Sequence, residues 1–262
     1  MARWVFTQQN NETLKGPEGV PDTILRILRD RGVTDPSLIE DFLAPFPRQT
    51  HDPFLLKDML PAAEMILRAA DSGGRICIYG DYDADGVTSV ALLLCVFRQL
   101  TDRVCYFIPS RFKEGYGLTR RAIKAIADEG ASLIVTVDCG SSAISEVDYA
   151  RSLGLDMVVT DHHNPCPDGM PDCLFINPKR RDSTYPFPHL SGCGVAFKLS
   201  QAIERLLEQR ADERFTRQDL NRLLDLVAIS TVADVVPLLD ENRTLVKYGL
   251  EMINRQWDHI SH

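Results

Sequence analysis

The sequence predicts an α/β fold: a doubly wound, mostly parallel sheet with helices on both faces, extended by helical segments at its N-terminal and C-terminal ends. From residue 75 onward, short apolar runs alternate with longer runs of helical periodicity. The short runs lack the polar–apolar alternation of a sheet with one solvated face, which indicates strands covered on both sides. Right-handed crossovers between parallel strands then place helices on both faces.

Four strands and three connecting helices form the predicted core. The strands are expected at residues 75–79, 103–109, 133–137 and 156–160, and the helices at 87–100, 118–129 and 143–152. Gly130 and Gly154 follow two of these helices, where glycine takes the left-handed conformation without strain. These boundaries define an α/β core over residues 73–190.

Helical segments flank this core. Helices at 22–31, 37–43 and 61–70, separated by proline-rich turns, predict an N-terminal helical cap over residues 1–72. Helices at 194–210 and 216–230 predict a helical part over residues 191–262, so the main domain would span 73–262. Thr216 and Asp219 form a capping-box pattern at the start of the second of these helices.

Composition narrows the function classes. The chain has 262 residues, of which 44% are hydrophobic and 25% charged, as in ordinary globular proteins. Its 37 acidic and 29 basic residues give a net charge of −8. A chain this acidic does not attract nucleic acid through bulk charge, so any such contact needs a local groove or bound cations.

Cysteine content and hydropathy predict a cytoplasmic protein with no membrane segment. The seven cysteines are odd in number and include no C-x-x-C pair, which favours a reducing compartment. The longest wholly apolar run, residues 90–97, is far shorter than the roughly 18 residues of a membrane span. No basic segment followed by an apolar stretch opens the sequence, so we expect no signal peptide.

Acidic and histidine residues follow three of the predicted strands. They are Asp81, Asp83 and Asp85 after the first strand, Asp138 after the third, and Asp161, His162 and His163 after the fourth. The carboxyl ends of parallel strands meet at one edge of a sheet, so these side chains should converge. Clustered carboxylates repel one another unless protons or cations relieve the repulsion. Aspartate oxygens and histidine nitrogens suit Mn²⁺, Mg²⁺ or Zn²⁺, although the lack of a cysteine pattern disfavours a thiolate zinc site.

Each group also has a structural interpretation. Asp83 or Asp85 could cap the helix that begins near residue 87. Asp138 could be a turn residue, and His162 with His163 could form a solvated turn. All three groups occupy the same sheet edge, which favours the metal site over three separate structural roles.

Two further motifs are open to either interpretation. Ser191, Gly192 and Gly194 precede a helical pattern, so their backbone N–H groups could hold a phosphate or could simply begin a helix. Asp234 lies in an apolar stretch at a helix end, where a carboxylate is usually a cap or an ion-pair partner. The local sequence does not decide its role.

Five motifs occur in order along the chain: GDYDADGVTS (80–89), TVDCG (136–140), TDHH (160–163), SGCGVAFKL (191–199) and STVADVVPL (230–238). Together they resemble the DHH phosphoesterase superfamily and, within it, the RecJ family of single-strand-specific 5′→3′ exodeoxyribonucleases. Residues 51–60 and 109–118 are also similar to that family. The resemblance covers nearly the whole chain from about residue 35.

The resemblance implies a two-metal phosphodiesterase that uses Mn²⁺ or Mg²⁺. One ion would be held by Asp85, Asp138, His162 and Asp234; the other by Asp83 and Asp138, with Asp81 nearby. Asp138 would then bridge the two ions. In the catalytic set, His163 would face the scissile phosphate, and Asp161 would act by orienting an imidazole.

Single-stranded DNA is the implied substrate in repair or recombination, with a helicase or a single-strand-binding protein as a candidate partner. Basic side chains expected to contact its backbone are Arg111, Lys113, Arg120, Arg121, Lys179, Arg180 and Arg181. Aromatic side chains expected to stack on its bases are Phe112, Tyr116 and Tyr185. The alternative for each is an ordinary solvated surface residue.

RecJ proteins continue into a linker helix, a DHH-associated domain and usually an oligonucleotide-binding barrel, none of which fits after residue 262. We therefore expect a truncated form with weak activity. An alternative substrate class is short oligoribonucleotides or cyclic dinucleotides, and an alternative of another kind is a non-catalytic DHH-derived scaffold. A DHH pyrophosphatase would carry histidine at position 79, where this chain has Tyr79.

Overall fold

The structure is a computed structural model that describes residues 16–44, 50–111, 117–167 and 169–260, with 256–260 as backbone only. The chain divides into two compact units, Met1–Gln49 and Thr50–His262. In the smaller unit, helices α1 (Asp22–Asp30) and α2 (Pro36–Leu43) bury Leu25, Leu28 and Ile39.

The larger unit contains one parallel sheet of five strands. The strands are β1 (Ile76–Gly80), β2 (Val104–Phe107), β3 (Leu133–Val137), β4 (Asp156–Thr160) and β5 (Leu174–Ile176). Their order is β2-β1-β3-β4-β5, and every adjacent pair is parallel. The strand order reverses direction between β1 and β3, the position where α/β proteins commonly bind ligands.

Helices cover both faces of this sheet, which confirms the predicted fold class. The first group along the chain comprises α3 (Met59–Asp71), α4 (Ala84–Leu100), α5 (Arg120–Asp128) and α6 (Ile144–Ser152). The second comprises α7 (Gly192–Gln209), α8 (Arg217–Asn221), α9 (Leu224–Ala233) and α10 (Asp240–Ile260).

Side chains of β1 explain why the strands lack polar–apolar alternation. Ile76 and Ile78 join the core formed with α3, α4 and α7, whereas Cys77 and Tyr79 join the core formed with α5 and α6. Both faces of the strand are therefore apolar because both are buried. Among the described helices, none has both the length and the apolar composition that a membrane span needs.

Two helical segments and one strand differ from the prediction. Helix α3, expected within a cap over residues 1–72, lies in the larger unit, because Met59, Ile66 and Leu67 are buried in the same core as α4 and α7. The helix expected at 216–230 is two helices, α8 and α9, separated at Arg222 and Leu223. Strand β5, which has only three residues, is too short for periodicity to predict.

Candidate metal centre

The acidic loop after β1 begins the site. Asp81 is buried directly after the strand, and α4 begins at Ala84, three residues before the predicted start. Asp83 caps this helix: its Oδ1 accepts a hydrogen bond from the N–H of Gly86 at 2.9 Å. Asp85 lies in the first turn and is buried. Asp83 thus fulfils the capping interpretation and still faces the same pocket as Asp81.

Asp138 follows β3 in a left-handed backbone conformation, with φ of 57°. Aspartate tolerates this region better than most residues do, because its short polar side chain can bond locally. Its carboxylate packs against the start of α7. A Cβ atom added at Gly192 would lie 2.6 Å from the Asp138 Cβ, so only glycine lets the helix approach this closely.

The N-terminus of α7 holds a carboxylate of the chain itself. The N–H groups of Gly192 and Cys193 donate to the two oxygens of Asp85 at 2.7 and 2.8 Å, and the Ser230 hydroxyl donates to its Oδ1 at 2.5 Å. The phosphate site expected at Ser191, Gly192 and Gly194 is therefore wrong, because Asp85 takes up the donors at this helix end. The Ser191 hydroxyl instead accepts from the Gly194 N–H at 3.1 Å as the helix cap.

His162 brings these carboxylates together. Its Nε2 lies 3.1 Å from Asp138 Oδ1, 3.6 Å from Asp234 Oδ2 and 3.7 Å from Asp85 Oδ2. The imidazole is buried, and among the described residues neither ring nitrogen has a hydrogen-bond partner; the same holds for Asp138 Oδ1. The 3.1 Å separation thus lacks the angle of a hydrogen bond. Buried polar atoms without partners are costly, which indicates that a further group completes the site.

Asp161 plays a different part from the other carboxylates. Its Oδ1 accepts hydrogen bonds from the N–H groups of His162 and His163 at 2.7 and 3.1 Å and pairs with His163 Nδ1 at 2.8 Å. Its Oδ2 accepts from the Ser141 N–H at 2.8 Å. These contacts fix the histidine loop and orient one imidazole, that of His163.

The pKa values of Asp138 and Asp161 are shifted in opposite directions. Burial raises the pKa of Asp138 to about 10, with the charges of Asp85 and Asp83 adding to the shift. Burial also raises the pKa values of Asp81 and Asp234. For Asp161 burial acts in the same direction, but hydrogen bonds from His163 and Ser141 outweigh it and hold the pKa at about 2. The bond to Asp161 raises the pKa of His163.

The residues fit divalent cations. Ligand atoms lie within 4.8 Å of one another in three groups: Asp81, Asp83 and Asp138; Asp85, His162 and Asp234; Asp138, His162 and His163. The second group contains Asp234, whose role the local sequence left open. Oxygen ligands with one or two imidazoles suit Mn²⁺ and Mg²⁺, and the unpartnered atoms of Asp138 and His162 supply the observation that a ligand is needed.

Two of the residues predicted to contact DNA, Arg180 and Tyr185, are buried and bind other parts of the chain. Arg180 is buried, and its guanidinium binds Asp58, Asp182 and the carbonyl of Phe175, so its expected role at a phosphate is wrong. Tyr185 is buried too, and its hydroxyl donates to Glu241 instead of its ring stacking on a base.

Other predicted contacts lie nearer the surface. Arg111 is exposed, with its guanidinium 5.6 Å from the ring centroid of Tyr82 in the acidic loop. Lys179 is half-buried and Arg181 is exposed. Arg120 and Arg121 are exposed on α5, where Arg120 lies 5.3 Å from the Tyr149 ring centroid. Phe112, Lys113 and Tyr116 lie outside the described residues.

Three supporting residues escaped the sequence analysis. Ser230 bonds to Asp85, Ser141 bonds to Asp161, and Asn177 bonds to both Ser141 and the His163 carbonyl. Ser230 and Asp85 are 145 positions apart, so no local pattern links them. Asn177 precedes Pro178 after a short apolar run, which by itself indicates only a turn.

Comparisons with known proteins find relatives of this chain by sequence and by structure. Residues 75–231 match the DHH family, N-terminal domain. The single-stranded-DNA-specific exonuclease RecJ of Bacillus subtilis (strain 168) is 41% identical over 257 residues, which are 97% of this chain and 31% of that protein. A crystal structure of exonuclease RecJ bound to manganese matches with a TM-score of 0.66 and 36% identity over 75% of this chain and 48% of that one.

RecJ from Thermus thermophilus in complex with Mn²⁺ matches with a TM-score of 0.65 and 32% identity, over 86% of this chain and 30% of that one. The chain therefore spans less than half the length of each of these relatives. The family match covers well over half of this chain and includes the acidic loop, Asp138 and both histidines. The chain belongs to the DHH family.

Proposed function

We propose that this chain carries the catalytic half of a RecJ-like, metal-dependent phosphodiesterase that degrades single-stranded DNA from the 5′ end in the cytoplasm, in repair or recombination. The single observation that supports this most directly is the pocket of buried carboxylates around His162, with Asp138 Oδ1 and both ring nitrogens lacking partners among the described residues. Relatives of about 40% identity are named single-stranded-DNA-specific exonucleases.

Two overlapping groups of residues would each hold one cation. Asp85, Asp138, His162 and Asp234 would hold one Mn²⁺ or Mg²⁺, and Asp81, Asp83 and Asp138 the other. When bound, two such ions lower the pKa of a water molecule and offset the charge on the phosphate oxygens. Bonds from α7 and Ser230 fix Asp85, so its position does not depend on the cations.

His163 is the candidate for contact with the scissile phosphate. Its side chain is 46% exposed, whereas that of His162 is 5% exposed. The Nδ1 bond to Asp161 raises the pKa of His163, which favours the charged form of its imidazole. A cationic ring held by a buried carboxylate would stabilise negative charge on the phosphate.

Digestion of end-labelled single-stranded DNA tests the function. With Mn²⁺, degradation from the 5′ end should release a 5′ label at once and shorten a 3′-labelled strand progressively. Chelation of the metal should stop the reaction. Asp138→Ala should reduce hydrolysis by about 10³-fold or more, because the shared ligand is lost, with an unchanged circular dichroism spectrum. Retention of most of the wild-type rate would exclude the bridging role of Asp138.

A dinucleotide substrate separates the main alternative. Hydrolysis of a dinucleotide in preference to a long strand would favour the class of DHH enzymes that act on short oligonucleotides. Titration calorimetry with Mn²⁺ addresses the other alternative, because a non-catalytic scaffold would show no binding.

Lys179 and Arg181 are candidates for contact with the DNA backbone. They follow Asn177, whose amide holds the His163 carbonyl, so their segment starts beside the histidine loop. Lys179→Ala with Arg181→Ala should reduce the slope of log affinity against log salt by about 1.4, since each lost phosphate contact removes about 0.7 for single strands. The matched control is Arg98→Ala with Arg103→Ala, which removes two exposed charges at the opposite edge of the sheet. Equal slopes for the two double variants would contradict this contact.

A further inference from the structure

A buried amide connects three loops at the edge of the candidate metal centre. Asn177 follows β5 and is fully buried. Its Nδ2 donates to the Ser141 hydroxyl and to the His163 carbonyl, both at 2.8 Å, and its Oδ1 accepts from the Lys179 N–H at 2.8 Å. The side chain therefore links the loops that follow β3, β4 and β5.

These loops are otherwise joined through Asp161. The Ser141 N–H donates to one oxygen of Asp161, and the other oxygen holds His163 through its backbone N–H and its Nδ1. Asn177 thus donates a hydrogen bond to the His163 carbonyl, and Asp161 accepts hydrogen bonds from the backbone N–H of His163 and pairs with its ring Nδ1. The histidine loop belongs to no helix or strand, so these side-chain bonds replace the backbone ladder that would otherwise fix it.

We propose that Asn177 is a positioning residue for His163, holding the histidine loop against the loop after β3 and so setting the orientation of the imidazole. The role rests on the proposed function only where catalysis is concerned, because the orientation itself exists in the metal-free protein. Within the Asn177 side-chain amide, the Nδ2 donor is the important group, because its two acceptors, the Ser141 hydroxyl and the His163 carbonyl, belong to the two loops that it joins.

Asn177→Asp tests the donor with little change in size. The variant keeps an oxygen for the Lys179 N–H but places a second oxygen against the His163 carbonyl. In the metal-free protein at fixed pH, the ¹⁵N and ¹H signals of the His163 imidazole, assigned with His163→Gln, should shift or broaden. With Mn²⁺, kcat on single-stranded DNA should fall by about tenfold or more while KM stays within about twofold, because the group is misplaced and not removed.

Asn242→Asp is the matched control. Asn242 is also fully buried, and its Nδ2 donates to the carbonyls of His189 and Pro237 at 2.7 and 3.0 Å, without touching Asp161 or His163. Asn242→Asp should lower the unfolding temperature, as Asn177→Asp should, because each adds a buried carboxyl group, yet it should leave the His163 imidazole signals unchanged. Ser141→Ala removes one acceptor of Nδ2 and should move the His163 signals in the same direction as Asn177→Asp, by less.

Unchanged His163 signals in both Asn177→Asp and Ser141→Ala, or an equal change in Asn242→Asp, would overturn the positioning role. If Asn177→Asp does not fold, the Ser141→Ala spectrum decides alone. A wild-type chain that binds Mn²⁺ but leaves DNA intact would refute the proposed function while the imidazole spectra still test Asn177.

Discussion

Two buried regions that contain carboxylates, one around Glu241 and one around Asp138, balance the charge in opposite ways. The Glu241 carboxylate pairs with the Lys198 ammonium, whose Nζ lies 2.6 Å from Oε2. It also accepts hydrogen bonds from the Tyr185 hydroxyl and, at 3.2 Å, from the backbone N–H of His51. Glu241 and Lys198 are both fully buried. The chain itself supplies every charge and proton that this cluster needs.

The candidate metal centre lacks such compensation. Its carboxylates lie near one another and near His162, with Asp138 Oδ1 among the atoms that have no partner in the described part of the chain. Burial raises the pKa of Asp138 but lowers that of Lys198, in each case by penalising the charged form. The difference shows that burial of a charged side chain does not by itself indicate a functional site. Buried carboxylates without compensating cations or hydrogen-bond donors do indicate one.

The largest expected effect concerns the balanced cluster. Glu241→Gln should lower the free energy of unfolding by about 3–5 kcal/mol, because it leaves the Lys198 ammonium buried without its counter-charge. Denaturation in urea measures this loss. The control is Glu129→Gln, which breaks an exposed pair with Arg75 and should cost less than about 1 kcal/mol. Similar costs for the two variants would mean that the buried pair is not what holds this region together.

Metal binding should distinguish the two regions directly. At Mn²⁺ concentrations 100-fold above the dissociation constant, the free energy of unfolding should rise by about 2.7 kcal/mol for each cation bound. Asp138→Ala should abolish most of this rise, whereas Lys198→Met should lower the baseline and keep the rise. Urea titrations with and without Mn²⁺ provide the numbers. A rise that survives in Asp138→Ala would place the cation elsewhere.

The smallest effect separates two carboxylates of the same site in the metal-free protein at neutral pH. Asp161→Asn should cost about 1–3 kcal/mol, because a charged acceptor of several hydrogen bonds is lost. Asp138→Asn should raise the unfolding temperature, because it removes a carboxylate whose ionisation is disfavoured. Thermal melts in the presence of a chelator would show the two signs, and two shifts of the same sign would contradict the assignment.

The pH dependence follows from the same contrast. Asp138 has a usual pKa of 3.8 and a folded value of about 10, so the folded state binds the extra proton between these values. The stability associated with it is complete below pH 4 and is lost as the pH rises toward 10. Metal-free wild-type protein should therefore lose stability from pH 5 to 9, and Asp138→Asn should lose less. For Asp161, with a folded pKa of about 2, the contribution is present above pH 4 and disappears in acid.

Much of the site was predictable because it depends on backbone direction. Apolar strands flanked by helices imply parallel neighbours, and parallel neighbours bring Asp81, Asp138 and His162 to one edge. That reasoning needs only the order of residues along the chain. The prediction for Arg180 failed, because it depended on a basic run, and the sequence does not show that Asp58, 122 positions away, binds its guanidinium.

The amino-acid sequence by itself determined the parallel sheet and the edge at which the acidic residues gather, since alternating runs of strand and helix character are local properties. Only the tertiary structure decided which donors each carboxylate receives. Asp85 meets Gly192 and Ser230 across more than 100 positions, and Asn177 meets Ser141 across 36. Such contacts depend on how helices and loops pack together, because hydrogen bonds require atoms to meet within a few tenths of an ångström, and no pattern along the chain encodes that distance.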